Sequence, residues 1–283
     1  MPDGGGGLYS ARVAFGPNYF VYISGQGKRD DSKVRAFASA LGLIPYEAKM
    51  ILGAPGPRRV GSYAKEEEAQ EKALALRQAG FVAFVVDKER FSRSPQVFRA
   101  RKAVEDGAGL LFTIETAPAP GEHTARVTEL PQPKGIVRAA VAGFYTQTTT
   151  YTDGSKSKLS VITSSKTHVR DPFIHLYSED PHTILEIRGP RFECAWLPEL
   201  GAELADARWL KLAERFASFY AVPLDTTLFR VPEEAGLITA ALNVDASHGQ
   251  ASRGLAGGSA SRDDAPVVMA ASRIIVVSRV FGV

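Results

Sequence analysis

KEEEAQEKALALRQAGFVAFVVD, residues 65–87, decides the fold of the N-terminal third. Glu66, Glu67 and Glu68 stand where the positive end of a helix dipole favours carboxylates, and Gly80 stands where a helix stops. Between them Ala69, Ala73, Leu74 and Leu76 provide an apolar stripe at helical spacing. Directly after the glycine, FVAFVVD is an aromatic and β-branched run that suits a buried strand. A helix that feeds a buried strand through a single glycine implies helices laid on a sheet, not a bundle.

Upstream, the same grammar repeats. YFVYI, residues 19–23, reads as a strand, and Asp31 or Ser32 caps a helix through KVRAFASALGL with Val34, Phe37, Ala38 and Leu41 inward. Pro45 suits the first turn of a second helix, with Ala48, Ile51 and Leu52 inward, before the stop at GAPGP. RRVGSY, residues 58–63, is a short strand. The resulting β-α-α-β-α-β order predicts a three-stranded sheet with helices on one face, over residues 17–90.

Downstream the apolar period changes from helical to two. GLLFTIET, HTARVTEL, IVRAAVAGFYTQTTTY, KLSVITSS, PFIHLYS, TILEIRG and FECAWLP are strand candidates, separated by Pro, Gly and Asp turns such as RDP at 170–172. LADARWLKLAERFASFY follows as a helix with Leu204, Trp209, Leu212, Phe216, Ala217 and Tyr220 on one stripe. The fold class expected is therefore α+β: an N-terminal α/β domain, then an antiparallel β-rich domain with one packing helix, pleckstrin-like by element order. The boundaries read as a flexible N-terminus at 1–16, the α/β domain at 17–90, a linker at 91–106, the β-rich domain at 107–232 and a flexible tail with an apolar end at 233–283.

Bulk composition narrows the function classes. The chain has 283 residues, 45% hydrophobic and 23% charged, enough to bury two cores. Thirty-four basic residues against 31 acidic ones give a net charge of +3, with the signs interspersed, so no strong field toward nucleic acid is implied. A single cysteine, Cys194, excludes an internal disulfide and fits a reducing compartment. The start MPDGGGGLYS lacks the basic and apolar regions of a secretory signal, and Arg273 and Arg279 interrupt the apolar run at 265–283, so a cytoplasmic location is expected.

The residues LGLIPYEAKMILGAP, RRVG, KEEEAQEKALALRQAG and FVAFVVD resemble the C-terminal domain of the bacterial ribosomal stalk protein, over about 70 residues. That resemblance implies a factor-binding surface along the first helix and the following turn, which Arg35, Gly42, Leu43 and Lys49 match. The sequence departs from the family at Ala38, Ile44, Pro45 and Tyr46. RRVGSYAKEEEAQEKALALRQAGFVAFVV is also similar to the second half of SPOR repeats, a family that binds peptidoglycan.

Catalytic motifs do not assemble. GQGK at 25–28 lacks the spacing of a phosphate loop, and Asp30 and Asp31 would repel phosphate. Ser155 and Lys158 have Ser-x-x-Lys spacing but lie in a hairpin turn, where the two side chains do not converge. His168, His175 and His182 recur every seven residues near Glu186 and Glu193, a spacing read as polar strand ends in preference to a metal site. Cys194 alternates with Phe192 and Trp196 and reads as an inert, packed thiol. Arg58, Arg59, Arg90, Arg93, Arg99, Arg101 and Lys102 interleave with Phe91 and Phe98, a mixture suited to phosphates or an anionic membrane, or to a linker whose arginines pair with acids.

The expectation from sequence is a non-enzymatic bacterial binding or adaptor protein, with no cofactor, no metal and no identified small-molecule substrate. Its partner would be a protein held through Arg35, Gly42, Leu43, Lys49, Arg58 and Arg59. The alternative is a membrane- or envelope-associated protein tethered by the C-terminal tail or the basic linker.

Overall fold

The computed structural model describes residues 17–25, 30–53, 56–116, 126–153, 163–189, 192–196, 205–229, 238–239, 242, 244, 247–248, 252–253 and 257–281. Its N-terminal part contains β1 (Tyr19–Gly25), α1 (Asp31–Leu41), α2 (Pro45–Leu52), β2 (Gly56–Tyr63), α3 (Glu66–Gln78) and β3 (Ala83–Asp87), in the order expected. The three strands form an antiparallel sheet, β2-β1-β3. Period-two alternation along β1 gives it two faces. Val21 and Ile23 pack with Val34, Phe37, Ala38, Ala48, Ala69, Ala73 and Leu76 of the helices, whereas Phe20 and Tyr22 pack into a different core. Two details depart from the sequence reading. Asp30, not Asp31 or Ser32, caps α1 by accepting from the Lys33 N–H at 2.7 Å, and Leu74 is 51% exposed because it lies on the outer side of α3.

After the five-residue helix α4 (Lys88–Ser92) the chain enters a mixed, 11-stranded sheet. Its strands are β4 (Gln96–Asp106), β5 (Gly109–Thr116), β6 (Arg126–Pro133), β7 (Ala139–Asp153), β8 (Thr163–Tyr177), β9 (Thr183–Arg188), β10 (Glu193–Cys194), β11 (Leu224–Leu228), β12 (Ser247–His248), β13 (Ser252–Arg253) and β14 (Gly257–Asp263). The path runs β12-β14-β7-β8-β9-β4-β5-β6, with β10 beside β4, β11 beside β7 and β13 beside β14. The pairs β4–β9, β4–β10 and β7–β11 are parallel, so this is not the simple antiparallel meander expected. Among the described residues no pairing joins β6 to β12 to close a barrel.

Both faces of the large sheet are covered. On one, Ala140, Ala142, Ile174, Leu176 and Ile187 meet Trp209, Leu212, Ala213, Phe216 and Tyr220 of α5 (Ala205–Tyr220), as the sequence stripe requires. Leu204 of that stripe lies outside the described residues. On the other, Ala139, Val141, Tyr145, Phe173 and Tyr177 pack against α6 (Ala265–Val276), which continues as a π-helical turn, Val277–Phe281. The same core includes Phe20, Tyr22, Phe84 and Val86 from the small sheet. Helix α6 is therefore the middle layer between two sheets.

Three expectations are corrected here. The linker at 91–106 includes β4, an interior strand between β9 and β5. Its arginines had disguised it: Arg99 pairs with Glu186 at 3.1 Å and Arg101 with Glu115 at 2.6 Å, so the charges are held across strands while Ala100 and Ala103 are buried. The RDP stretch at 170–172 is no turn, because β8 runs through it, with Pro172 opposite Phe144. The Pro172 carbonyl accepts from the Gly189 N–H at 3.4 Å, so its donorless nitrogen also faces Gly189, whose carbonyl accepts from the Phe192 N–H at 3.3 Å instead.

The tail at 233–283 is the third. Its part at 257–281 supplies strand β14, paired with β7 from Gly257 to Asp263, and buried helix α6. Val267, Val268, Ile274, Ile275 and Val276 are all buried, each stabilising the fold by about 1.5–3 kcal/mol relative to exposure. Among the described residues no helix is long and apolar enough to cross a membrane.

Candidate functional site

The α1–α2 corner is built by local rules. Helix α1 ends at Gly42, whose φ of 68° is left-handed and suits glycine. Leu43 turns inward, partly buried against the helix core. Ile44 then precedes Pro45 at the start of α2, and the Glu47 carboxylate accepts from the Ile44 N–H at 3.3 Å, tying off the first turn. Within α2 only Ala48 is fully buried, while Ile51 and Leu52 are partly covered.

The outward side of this corner is apolar. Ile44 is 59% exposed, Tyr46 70% and Met50 63%. Tyr46 and Met50 are four residues apart and share one side of the helix, with Lys49 exposed beside them. Leaving such side chains in water forgoes a good part of the ~1.5–3 kcal/mol that each could gain on burial. Tyr and Met are residue types that protein interfaces favour.

The sequence-derived candidates divide on the structure. Gly42 and Leu43 form the turn, and Lys49 lies on the apolar side of α2. Arg35 is exposed and sits seven residues before Gly42, about 10 Å up the axis of α1. Arg58 and Arg59 of β2 are not part of the corner. Arg58 is opposite Ile23, on the helix side of the sheet. Arg59 is opposite Tyr22, on the other face, and its guanidinium lies 5.9 Å from the centre of the Phe20 ring. Ile44, Tyr46 and Met50 were missed as site residues. The signal was an excess: YEAKMIL carries more large apolar side chains than one face of a two-turn helix can bury.

Of the five other basic residues grouped with Arg58 and Arg59 in the sequence, four have a partner side chain within the chain, and Lys102 lines a cleft beside β4 and β10. Arg93 pairs with Glu89, Arg99 with Glu186 and Arg101 with Glu115. Arg90 donates to His182 at 2.9 Å. Three of these arginines pair with acids and the fourth with a histidine.

One polar cluster does assemble, deep in the core. His175 and Glu186 are directly opposite on β8 and β9, not at strand ends as the sequence suggested. Tyr145 donates to the Glu186 Oε1 at 2.6 Å, and its oxygen lies 2.7 Å from His175 Nε2. His175 Nδ1 lies 2.8 Å from the Ser272 hydroxyl of α6, which is 2.7 Å from the Tyr177 hydroxyl. Neutral His175 protonated at Nε2 satisfies every link: Tyr177 donates to Ser272, Ser272 to Nδ1, Nε2–H to Tyr145, and Tyr145 to Glu186. Burial pushes the His175 pKa down, consistent with that neutral ring. Burial would raise Glu186, but the neighbouring His175, the hydrogen bond from Tyr145 and the charge of Arg188 hold it below the usual range.

Ser272, His175 and Glu186 contain the residue types of a nucleophilic triad, yet they are 0%, 0% and 1% exposed. A nucleophile must reach a substrate, and this serine faces the interior of the α6 layer. The cluster fastens α6 to the large sheet.

A cleft of about 520 Å³ lies beside β4 and β10, lined by Lys102, Glu105, Leu110, Phe192, Cys194 and Trp196. Cys194 packs with Phe192 and Trp196 near α5. Among the described residues no three His, Cys, Asp or Glu side chains are placed to hold a metal ion. No family model, curated protein or solved structure matches the chain.

Proposed function

We propose that the chain is a non-enzymatic binding protein that presents its α1–α2 corner to another protein. The supporting observation is the exposure of Ile44, Tyr46 and Met50 at the start of one short helix and along it. The partner surface that fits is apolar with carboxylates at its margin, because Lys49 lies within the patch and Arg35 lies on α1 nearby. A ribosomal-stalk-like mode of binding would use Gly42, Leu43 and Lys49, and this reading leaves Arg58 and Arg59, on β2, outside the proposed surface. Protein is favoured over lipid as the target because the apolar residues of α6 are already used between the sheets.

The test is co-purification with tagged full-length chain from its native cells. Met50→Glu and Tyr46→Glu are expected to lose a partner at least tenfold while keeping the wild-type circular dichroism spectrum. Leu74→Glu, on the exposed side of α3, is expected to keep it. Equal recovery by all three variants would remove the corner from consideration.

A further inference from the structure

At the junction of α4, α6 and the β8–β9 turn, one histidine faces two guanidinium groups. Arg273 of α6 is 1% exposed. Its Nη1 donates to the carbonyls of Phe91 and Arg93 at 2.9 Å each, and its Nη2 to the carbonyl of Arg90 at 3.4 Å. These carbonyls close the end of α4, so one side chain of α6 holds the segment that leaves the small sheet for the large one. The same Nη2 reaches His182 Nδ1. From the opposite side Arg90 Nε approaches His182 Nε2 at 2.9 Å.

Proton counting makes this arrangement conditional. A neutral imidazole has one acceptor nitrogen and one N–H, so it accepts from one of the two arginines. Imidazolium has none, and it would set a third cation between two others. The other groups facing the ring are few. Phe91 packs edge-on at 5.4 Å between ring centres. Asp180, in the turn, accepts from the His182 backbone N–H at 2.9 Å and from the Thr183 hydroxyl at 2.9 Å, which orients it toward the backbone. Tyr177, at the end of β8, lies close enough to Arg273 to act on its charge.

We propose that His182 is a pH-sensitive latch: neutral, it lets Arg273 clasp the end of α4, and protonated, it releases the joint between the small sheet and the large one. Burial, together with the charges of Arg273 and Arg90, lowers the affinity of His182 for a proton in the closed state, against which Asp180 acts weakly. The sign follows. A histidine whose pKa is lowered in the closed state takes up its proton on opening, so closure is fully favoured above the ordinary value near 6.5 and weakens as pH falls below it. Histidine is the side chain whose charge changes in this range.

Hydrogen exchange of the intact chain, corrected for the intrinsic pH dependence of exchange, reads the latch directly. Between pH 7 and pH 5.5, amides of residues 88–96 and 180–184 are expected to lose protection by up to tenfold per pH unit, while those of α1 and α3 do not. His182→Gln keeps an acceptor for Arg273 but cannot take a proton, and its protection is expected to be flat over the same range. Arg90→Gln removes one of the two cations and should raise the pKa of His182 measured by NMR. Protection independent of pH in the wild type, the same pH response in H182Q, or a His182 pKa at or above 6.5 in the wild-type chain would each overturn the proposal.

Discussion

At the scale of single residues, what matters is where a proton sits. The chain from Tyr177 through Ser272, His175 and Tyr145 to Glu186 has one consistent ordering, with every donor used once. It predicts unequal costs for two similar changes. Tyr145→Phe takes from the His175 Nε2–H its acceptor and from the buried Glu186 carboxylate one of its two hydrogen-bond donors, leaving Arg99, and should cost about 2–4 kcal/mol. Tyr177→Phe removes only a donor to Ser272, whose own hydroxyl still serves His175, and should cost about 1 kcal/mol. Urea unfolding of both variants decides the matter, and equal losses would contradict the ordering. None of this was visible in the sequence. His175 and Glu186 each sit singly among apolar strand residues, a pattern that fits a strand end as well as a buried pair. Only the register between β8 and β9 places them opposite each other.

At the scale of elements, legibility followed how local the signal was. The small α/β unit was readable because caps, helical stripes and the Gly80 stop lie within a few residues of what they control. Strand β4 was not, since its arginines become compatible with a sheet interior only through Glu186 and Glu115, which lie on other strands. Helix α6 read as the apolar end of a tail: Ile274, Ile275 and Val276 are β-branched and consecutive, a disfavour for helix that burial on both sides overrides. The apolar corner at Ile44, Tyr46 and Met50 was hidden in the same way: a sequence shows which side chains are apolar, but not which are left uncovered. The parallel strand β11 carries its own requirement. Gly143 lies opposite Leu228, and a Cβ at Gly143 would come within 2.6 Å of the Leu228 carbonyl oxygen and 2.5 Å of its Cβ. Gly143→Ala should therefore push β11 off β7, costing about 1–3 kcal/mol as overpacking does. Faster amide exchange confined at first to residues 224–228 is the expected signature, and unchanged exchange there would mean that the strand shifts without loss.

At the scale of the whole molecule, α6 changes the meaning of the two-domain reading. The small sheet has helices on one face only, so its other face, with Phe20, Tyr22, Phe84 and Val86, is covered by α6 and its π-helical continuation. The large sheet likewise offers Ala139, Val141, Tyr145, Phe173 and Tyr177 to the same helix. Each sheet has a core of its own on one face but relies on α6 to cover the other, so separate stability of the two parts is not expected. Arg273 strengthens the dependence, since without it three carbonyls at the end of α4 lose their donor. Ending the chain after residue 256 should thus do more than remove an appendage. Both sheets would expose an aromatic face, and the product should bind a hydrophobic dye and lose its sharp thermal transition. The intact chain, by the same reasoning, should melt in one calorimetric transition whose enthalpy equals the van't Hoff value. Two separated transitions in the intact chain, or native-like exchange protection of residues 17–90 after truncation, would show that the small unit stands alone and that α6 merely rests on it.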